Sequence, residues 1–198
     1  MKTVIAGDPH SGKSVFVTGL KEACKKAGIY PFVITAAPDG EGSWFQDTSK
    51  NDPDLARKLK DNYKSKFTPE FVQRIHESVK NISLSNVFID IGGRVSPENY
   101  KICEKADSII ILCPSAGAFG KWKKFAHDLN LEIIAEIISD YSGKEDVVNL
   151  GTPITGSIHY LQRGEDITER PMIKAIVSKL TGKVIKCAYD WVGIYLKS

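Results

Sequence analysis

The fold is decided by the stretch Thr3-Val4-Ile5-Ala6-Gly7-Asp8-Pro9-His10-Ser11-Gly12-Lys13-Ser14-Val15, near the start of the chain. Its residues 7–14 fit the phosphate-loop pattern G-x-x-x-x-G-K-[ST] at every fixed position. The apolar residues 3–6 before the pattern are typical of a buried strand, and residues 15–23 after it are typical of a helix. Because the pattern requires this order of strand, loop and helix, a chance Gly-rich turn is the less favoured interpretation.

Each fixed residue of this loop has a chemical use. Gly7 and Gly12 allow backbone conformations that a side chain obstructs, so the loop amides can converge on a polyphosphate at the positive end of the following helix. Lys13 adds a positive charge near the β- and γ-phosphates, and the Ser14 hydroxyl is a ligand for Mg²⁺. Lys13 is therefore a predicted catalytic residue, and the predicted nucleotide-binding set is Gly7, Asp8, Pro9, His10, Ser11, Gly12, Lys13, Ser14 and Val15.

Size and charge restrict the architecture and the partners. The chain has 198 residues, of which 42% are hydrophobic. That size allows one complete α/β domain and is short for two, so residues 1–198 are predicted to form a single domain. With 27 basic and 24 acidic residues, the net charge of +3 does not by itself indicate nucleic acid or an anionic membrane as a partner.

Cysteine spacing and hydropathy favour a cytoplasmic protein with no membrane partner. The four cysteines are widely spaced and form no C-x-x-C pair, so we expect buried free thiols and no disulfide framework. No segment approaches the roughly 20 apolar residues that span a bilayer. A signal peptide could not be removed from the N-terminus without loss of the loop.

Strand and helix patterns alternate along most of the chain. This alternation predicts a three-layer α/β/α domain with a mostly parallel central sheet, whose ligands bind beyond the carboxyl ends of the strands. Residues 131–139 are predicted to be a strand, with a helix as the alternative, and the tail at 184–196 is predicted to hold two short strands or a strand and a helix. The other predicted strands are at 29–37, 87–91, 108–113 and 152–160, and the predicted helices are at 53–64, 69–81, 96–105, 117–128 and 171–180.

Asp90 is the predicted partner of the loop. It ends a strongly apolar run, Val87-Phe88-Ile89-Asp90-Ile91, and a carboxylate in that place would hold Mg²⁺ opposite Ser14. The alternative is a surface carboxylate at a strand end. Arg94 follows Gly92-Gly93 and is a candidate catalytic residue that reaches the γ-phosphate, although a plain surface arginine is the commoner outcome.

A second acidic segment follows the second predicted strand. Pro38-Asp39-Gly40-Glu41-Gly42 places two carboxylates between glycines, where Asp39 or Glu41 would orient or deprotonate an acceptor hydroxyl as a catalytic group. A tight Asp-Gly turn explains the same residues equally well.

Several absent motifs narrow the class. The chain has no N-K-x-D motif, which reads guanine in GTPases, and this favours ATP or a promiscuous site. The loop lacks the additional early lysine of the class that forms sandwich dimers. Ile91 follows Asp90 where ring ATPases have a catalytic glutamate. The oligomeric state stays open, and a homo-oligomer is compatible with the sequence.

Three segments together carry a resemblance to a known family. The stretches at residues 7–16, at Pro38-Asp39-Gly40-Glu41-Gly42-Ser43-Trp44 and at Phe88-Ile89-Asp90-Ile91-Gly92-Gly93 resemble the AAA-like phosphate-loop NTPase domain that is fused to, or encoded beside, a CRISPR-associated ring nuclease that degrades cyclic oligoadenylate. The resemblance covers roughly the first half of the chain, and the acidic loop that ends at Trp44 is its more specific part. It implies an NTPase accessory to cyclic-oligonucleotide signalling. No second segment of nuclease size is present, so nuclease activity is not expected.

Two hypotheses of function follow from the sequence. In the first, the protein binds ATP with Mg²⁺ and hydrolyses it or transfers its γ-phosphate to a hydroxyl acceptor such as a nucleotide or an RNA end. In the second, it is a nucleotide-dependent switch with little turnover that acts on a protein partner, and residues 40–66 are the element that the γ-phosphate orders.

Overall fold

A computed structural model describes residues 1–37 and 67–182, and within them seven strands form one sheet with helices on both faces. The sheet order is β2-β3-β1-β4-β5-β7-β6. All neighbouring strands are parallel except β6, which pairs antiparallel with β7 at one edge. The strands are β1 Lys2–Gly7, β2 Phe32–Thr35, β3 Val87–Asp90, β4 Ser108–Cys113, β5 Glu132–Asp140, β6 Val147–Asn149 and β7 Ile154–His159.

The α/β architecture with a mostly parallel sheet confirms the fold class predicted from the alternating patterns. The segment at 131–139 is the strand β5, and its helical alternative is wrong. Strand β6 was not predicted, because three residues with an exposed, partly buried, exposed pattern give no clear periodicity. The helices in the described ranges are α1 Lys13–Lys26, α2 Pro69–Asn81, α3 Pro97–Cys103, α4 Phe119–Asp128 and α5 Pro171–Thr181, with a 3-10 turn at Ala116–Ala118.

The sheet separates two hydrophobic cores. Strand β4 shows why: its side chains alternate, so Ile110 and Leu112 enter one core while Ile109 and Ile111 enter the other. Helices α1 and α5 close the first core, and α2, α3 and α4 close the second. A central parallel strand covered on both faces is expected to be apolar along its whole length, and β4 is buried throughout.

Buried thiols agree with the prediction from cysteine spacing. Cys24, Cys103 and Cys113 are free and buried, while Cys187 lies outside the described residues. Burial raises the pKa of the Cys24 and Cys113 thiols to about 11, so both stay protonated at neutral pH. Among the described helices, none has the length and apolar character needed to cross a membrane.

Candidate functional site

The connection between β1 and α1, here called the 7–14 loop, begins at a glycine beside which there is no room for a side chain. Gly7 has a φ of +146°, and a Cβ atom built on it would lie 1.7 Å from the carbonyl oxygen of Leu112. The next amide, that of Asp8, donates a hydrogen bond to the same oxygen at 3.2 Å. The start of the loop is therefore fixed against β4, the strand on one side of β1.

Lys13 lies folded over the loop. Its Nζ donates to the carbonyl oxygen of Gly7 at 3.0 Å and to that of Asp8 at 2.8 Å. The Asp8 carbonyl also accepts from the amide and the hydroxyl of Ser11, at 3.3 and 2.8 Å. These bonds close the loop into a compact turn and hold the ammonium group at its centre.

The start of α1 has features that favour an anion. Its N-cap is Gly12, which has a left-handed conformation and no side chain with which to cap the helix. The first turn of α1 itself contains no acidic residue, and a carboxylate there would oppose the binding of an anion. Helix starts of this kind bind phosphate and carboxylate groups through their backbone amides.

The Asp8 side chain links the loop to α4. Its Oδ1 accepts a hydrogen bond from the Trp122 indole nitrogen at 2.9 Å and lies 2.7 Å from Lys121 Nζ. Burial opposes ionisation, but hydrogen bonds from Lys121 and Trp122 and the charges of Lys121 and Lys13 hold the pKa of Asp8 below its usual value. Asp8 was predicted to bind nucleotide, and its contacts give it an anchoring role within the protein as well.

Asp90 lies where the sequence predicts it, at the carboxyl end of β3. That strand is the other neighbour of β1, and Asp90 is in register with Ile5. The residue is only 3% exposed. Its carbonyl accepts a hydrogen bond from the Ala36 amide at 2.8 Å, which ties it to β2. Asp90 and Ser14 line the same cavity, so the two predicted metal ligands come together at one edge of the sheet.

The turn after β3 reaches across to the 7–14 loop. A Cβ atom on Gly93 would lie 2.7 Å from the Pro9 backbone nitrogen, so the two connections touch there. Arg94 is exposed and lines the cavity, as a residue that reaches a phosphate would. Its carbonyl oxygen accepts a hydrogen bond from Asn99 Nδ2 at 2.7 Å.

An open cavity of about 850 Å³ joins these parts. The segment after β7 contributes Leu161, whose side chain packs where a Cβ on Gly12 would stand. Leu161, Asn99 and Phe67 are cavity residues that the sequence reasoning missed, because each comes from a segment without a recognisable motif. The remaining lining residues include Pro9, His10, Ser11, Lys13, Ser14, Asp90, Gly92, Gly93, Arg94, Ser96, Glu98 and Arg163.

Two predicted catalytic residues are not placed. Asp39 and Glu41 lie outside the described residues, as do the predicted helix at 53–64 and the tail after Gly182. Their roles stay predictions. The cavity lining contains residues 9–15 of the predicted nucleotide-binding set together with Asp90 and Arg94, whereas Gly7 and Asp8 of that set are not lining residues.

The donors in the cavity suit Mg²⁺. The Ser14 hydroxyl and the Asp90 carboxylate are oxygen ligands of the kind that this ion prefers, and Mg²⁺ commonly takes one or two carboxylates together with substrate phosphates. Within the described ranges, no group of three or more His, Cys, Asp and Glu side chains forms an all-protein metal cage. Ser14 and Asp90 could thus supply two of the oxygen ligands of Mg²⁺, as the sequence predicts.

Comparison with known proteins gives no assignment: no family model matches the chain, and no curated protein matches it significantly.

Proposed function

We propose that this protein is a phosphate-loop NTPase that binds ATP and hydrolyses it or transfers its γ-phosphate to a hydroxyl acceptor. The observation that carries the proposal is the position of Lys13, which lies over the 7–14 loop at the glycine-capped start of α1. Asp90 and Ser14 line the same cavity. This combination of fixed backbone, cation and oxygen donors is what a nucleoside triphosphate requires.

In this proposal the cavity residues have separate roles in binding phosphate, Mg²⁺ and the acceptor. The first-turn amides of α1 and the Lys13 ammonium group bind the β- and γ-phosphates, and Ser14 and Asp90 hold Mg²⁺, which supplies positive charge to the phosphate oxygens. Arg94, exposed at the cavity, reaches the γ-phosphate. Asp39 or Glu41 engages the acceptor hydroxyl.

The resemblance to CRISPR-associated NTPase domains adds a cellular setting to this proposal. It makes the protein an accessory to cyclic-oligonucleotide signalling, and so adds cyclic oligonucleotides to the nucleotide or RNA end that we consider as acceptor. These molecules therefore belong in the first panel of acceptors to be tested. The cysteine spacing separately favours the cytoplasm.

The test is ATP consumption by the purified full chain with Mg²⁺, followed with label on the γ-phosphate. Nucleosides, nucleoside monophosphates, cyclic oligoadenylates and short RNAs with a free 5′-hydroxyl are added singly. Label on an acceptor identifies a phosphotransferase and its substrate class, and label released as free phosphate identifies a hydrolase. Failure of the wild-type protein to bind MgATP in calorimetry would reject the proposal.

A further inference from the structure

Asn99 is a buried polar residue with one of its functional atoms unused. It is only 1% exposed and is the third residue of α3. Its Nδ2 donates to the carbonyl oxygen of Arg94 at 2.7 Å. Since a carbonyl can only accept, this bond fixes which end of the amide is nitrogen, and the other end must be the oxygen Oδ1.

Within residues 1–37 and 67–182, Asn99 Oδ1 makes no hydrogen bond. Buried side-chain oxygens of folded proteins almost always accept at least one, so an orphan indicates a role or a missing partner. The other orphan in the same ranges, His76 Nδ1, lies on α2, 3.5 Å from Glu77 Oε1, and is not a lining residue of the cavity. Asn99 does line the cavity.

A short series of contacts places Asn99 beside the phosphate-binding part of the cavity. Gly93 touches Pro9 of the 7–14 loop, and the Asn99 amide lies 3.9 Å from the Cβ position of Gly92. Asn99 also holds the carbonyl of Arg94. The residue with the orphan oxygen therefore contacts the turn after β3, and that turn also contacts the 7–14 loop.

We propose that Asn99 is part of the acceptor subsite, where its Oδ1 accepts a hydrogen bond from the hydroxyl group that attacks the γ-phosphate. That hydroxyl belongs to water in a hydrolase and to an alcohol in a phosphotransferase. The inference rests on the proposed function, because it needs a γ-phosphate bound at the 7–14 loop. Asn99 orients the nucleophile through its lone pair and leaves nucleotide binding to the loop.

Two variants of nearly equal size separate this role from a structural one. Asn99→Leu and Asn99→Asp both lose the amide hydrogen that holds the Arg94 carbonyl, but only Asn99→Asp keeps an oxygen acceptor. Lys123→Met is the matched control on α4, since Lys123 pairs with Glu136 and does not line this cavity. For each protein the MgATP dissociation constant is measured by calorimetry. The rate of γ-phosphate release from ATP is measured with water alone, and the rate of its transfer is measured with each acceptor of the panel.

We expect Asn99→Leu to bind MgATP with a dissociation constant within about 2-fold of wild type. Its turnover is expected to fall about 10-fold, or, where an alcohol receives the label, its KM for that alcohol is expected to rise about 10-fold. Asn99→Asp is expected to recover at least half of the loss on a logarithmic scale. Equal losses in both variants would overturn the inference in favour of a structural role at the Arg94 turn, and unchanged turnover in Asn99→Leu would overturn it outright. Absence of MgATP binding in the wild type would reject the proposed function and this inference together, whereas intact binding with either overturning result rejects the inference alone.

Discussion

Two strand-to-helix connections leave adjacent parallel strands at the same edge of the sheet and line one cavity, yet they are built differently. The first joins β1 to α1 through the 7–14 loop, and the second joins β3 to α3 through residues 91–96. Helix α3 is capped by Ser96, whose hydroxyl accepts a hydrogen bond from the Asn99 backbone amide at 3.3 Å, and it carries Glu98 in its first turn. Helix α1 has Gly12 as its N-cap and no acidic residue in its first turn.

The difference lies in which helix start carries a side-chain cap and an acidic first turn. At α3 the Ser96 side chain satisfies a first-turn backbone amide, and the Glu98 carboxylate balances the helix dipole. At α1 the chain supplies Lys13 and a glycine in the left-handed region, which leaves the positive end of the helix available to a phosphate. We therefore expect removal of the Lys13 charge to affect nucleotide chemistry and removal of the Ser96 cap to affect stability.

The largest effect is expected at the glycines of the two connections. Gly7→Ala would place a methyl group 1.7 Å from the Leu112 backbone oxygen at a φ of +146°, so we expect a loss of more than about 4 kcal/mol in unfolding free energy. Among residues 1–37 and 67–182, the nearest atom to a Cβ on Gly92 is 3.7 Å away, in the Phe67 ring, so Gly92→Ala is expected to cost less than about 1 kcal/mol. Urea unfolding of both variants measures the contrast. Similar stabilities would show that the approach of β1 to β4 is not as close as described.

The next largest effect is expected at the cation of the first connection. Lys13→Met removes the charge that would neutralise the γ-phosphate, and we expect ATP consumption to fall about 10²- to 10³-fold. Lys123→Met removes a comparable cation, one paired with Glu136 at 3.0 Å, and should leave consumption unchanged. Steady-state rates at saturating ATP are the measurement, with thermal melting to show that both variants fold. Equal rates for Lys13→Met and wild type would show that the cation of the first connection takes no part in ATP consumption.

The sequence predicts the first connection better than the rest of the cavity. The loop pattern, the flanking strand and helix, and the apolar run before Asp90 are local signals, and the rule that parallel strands end at one edge brings Ser14 and Asp90 together. Leu161 and Asn99 line the cavity only because the tertiary fold brings their segments there. The hydrogen bond between Trp122 and Asp8, which are 114 residues apart, likewise depends on the tertiary fold. No periodicity encodes such contacts, because they depend on which helix packs on which face of the sheet.

A smaller effect is expected at the cap of the second connection. Ser96→Ala removes the hydroxyl that accepts from the Asn99 backbone amide, and loss of such a cap lowers the free energy of unfolding by about 1 kcal/mol. Thr68→Ala removes the equivalent cap of α2, where the hydroxyl accepts from the Phe71 amide at 3.2 Å, and should cost about as much. Chemical unfolding measures both. We expect MgATP affinity to stay within about 2-fold in both variants, and a large loss of affinity in Ser96→Ala alone would make the α3 start part of the nucleotide site.

The smallest effect is expected at Asp8, which joins the first connection to α4. Asp8→Asn removes the ion pair with the half-exposed Lys121 but keeps an oxygen that accepts from Trp122, so we expect a cost of about 0.5 kcal/mol at pH 7. The effect should also depend on pH. The folded state lowers the pKa of Asp8 from its usual 3.8, so the stability that its charged form contributes is present above pH 3.8 and is lost as the pH falls through the folded-state pKa.

Urea unfolding of wild type and Asp8→Asn between pH 7 and pH 3 provides the measurement, and the two curves should converge toward the acid end. Lys121→Met provides the matched background, because Asp8→Asn should cost less once the facing cation has gone. Parallel curves down to pH 3 would mean that the Asp8 carboxylate contributes nothing through its charge. The first connection would then be held to α4 by the neutral hydrogen bond to Trp122, and the loop's anchor would be independent of pH, like the Ser96 cap of the second connection.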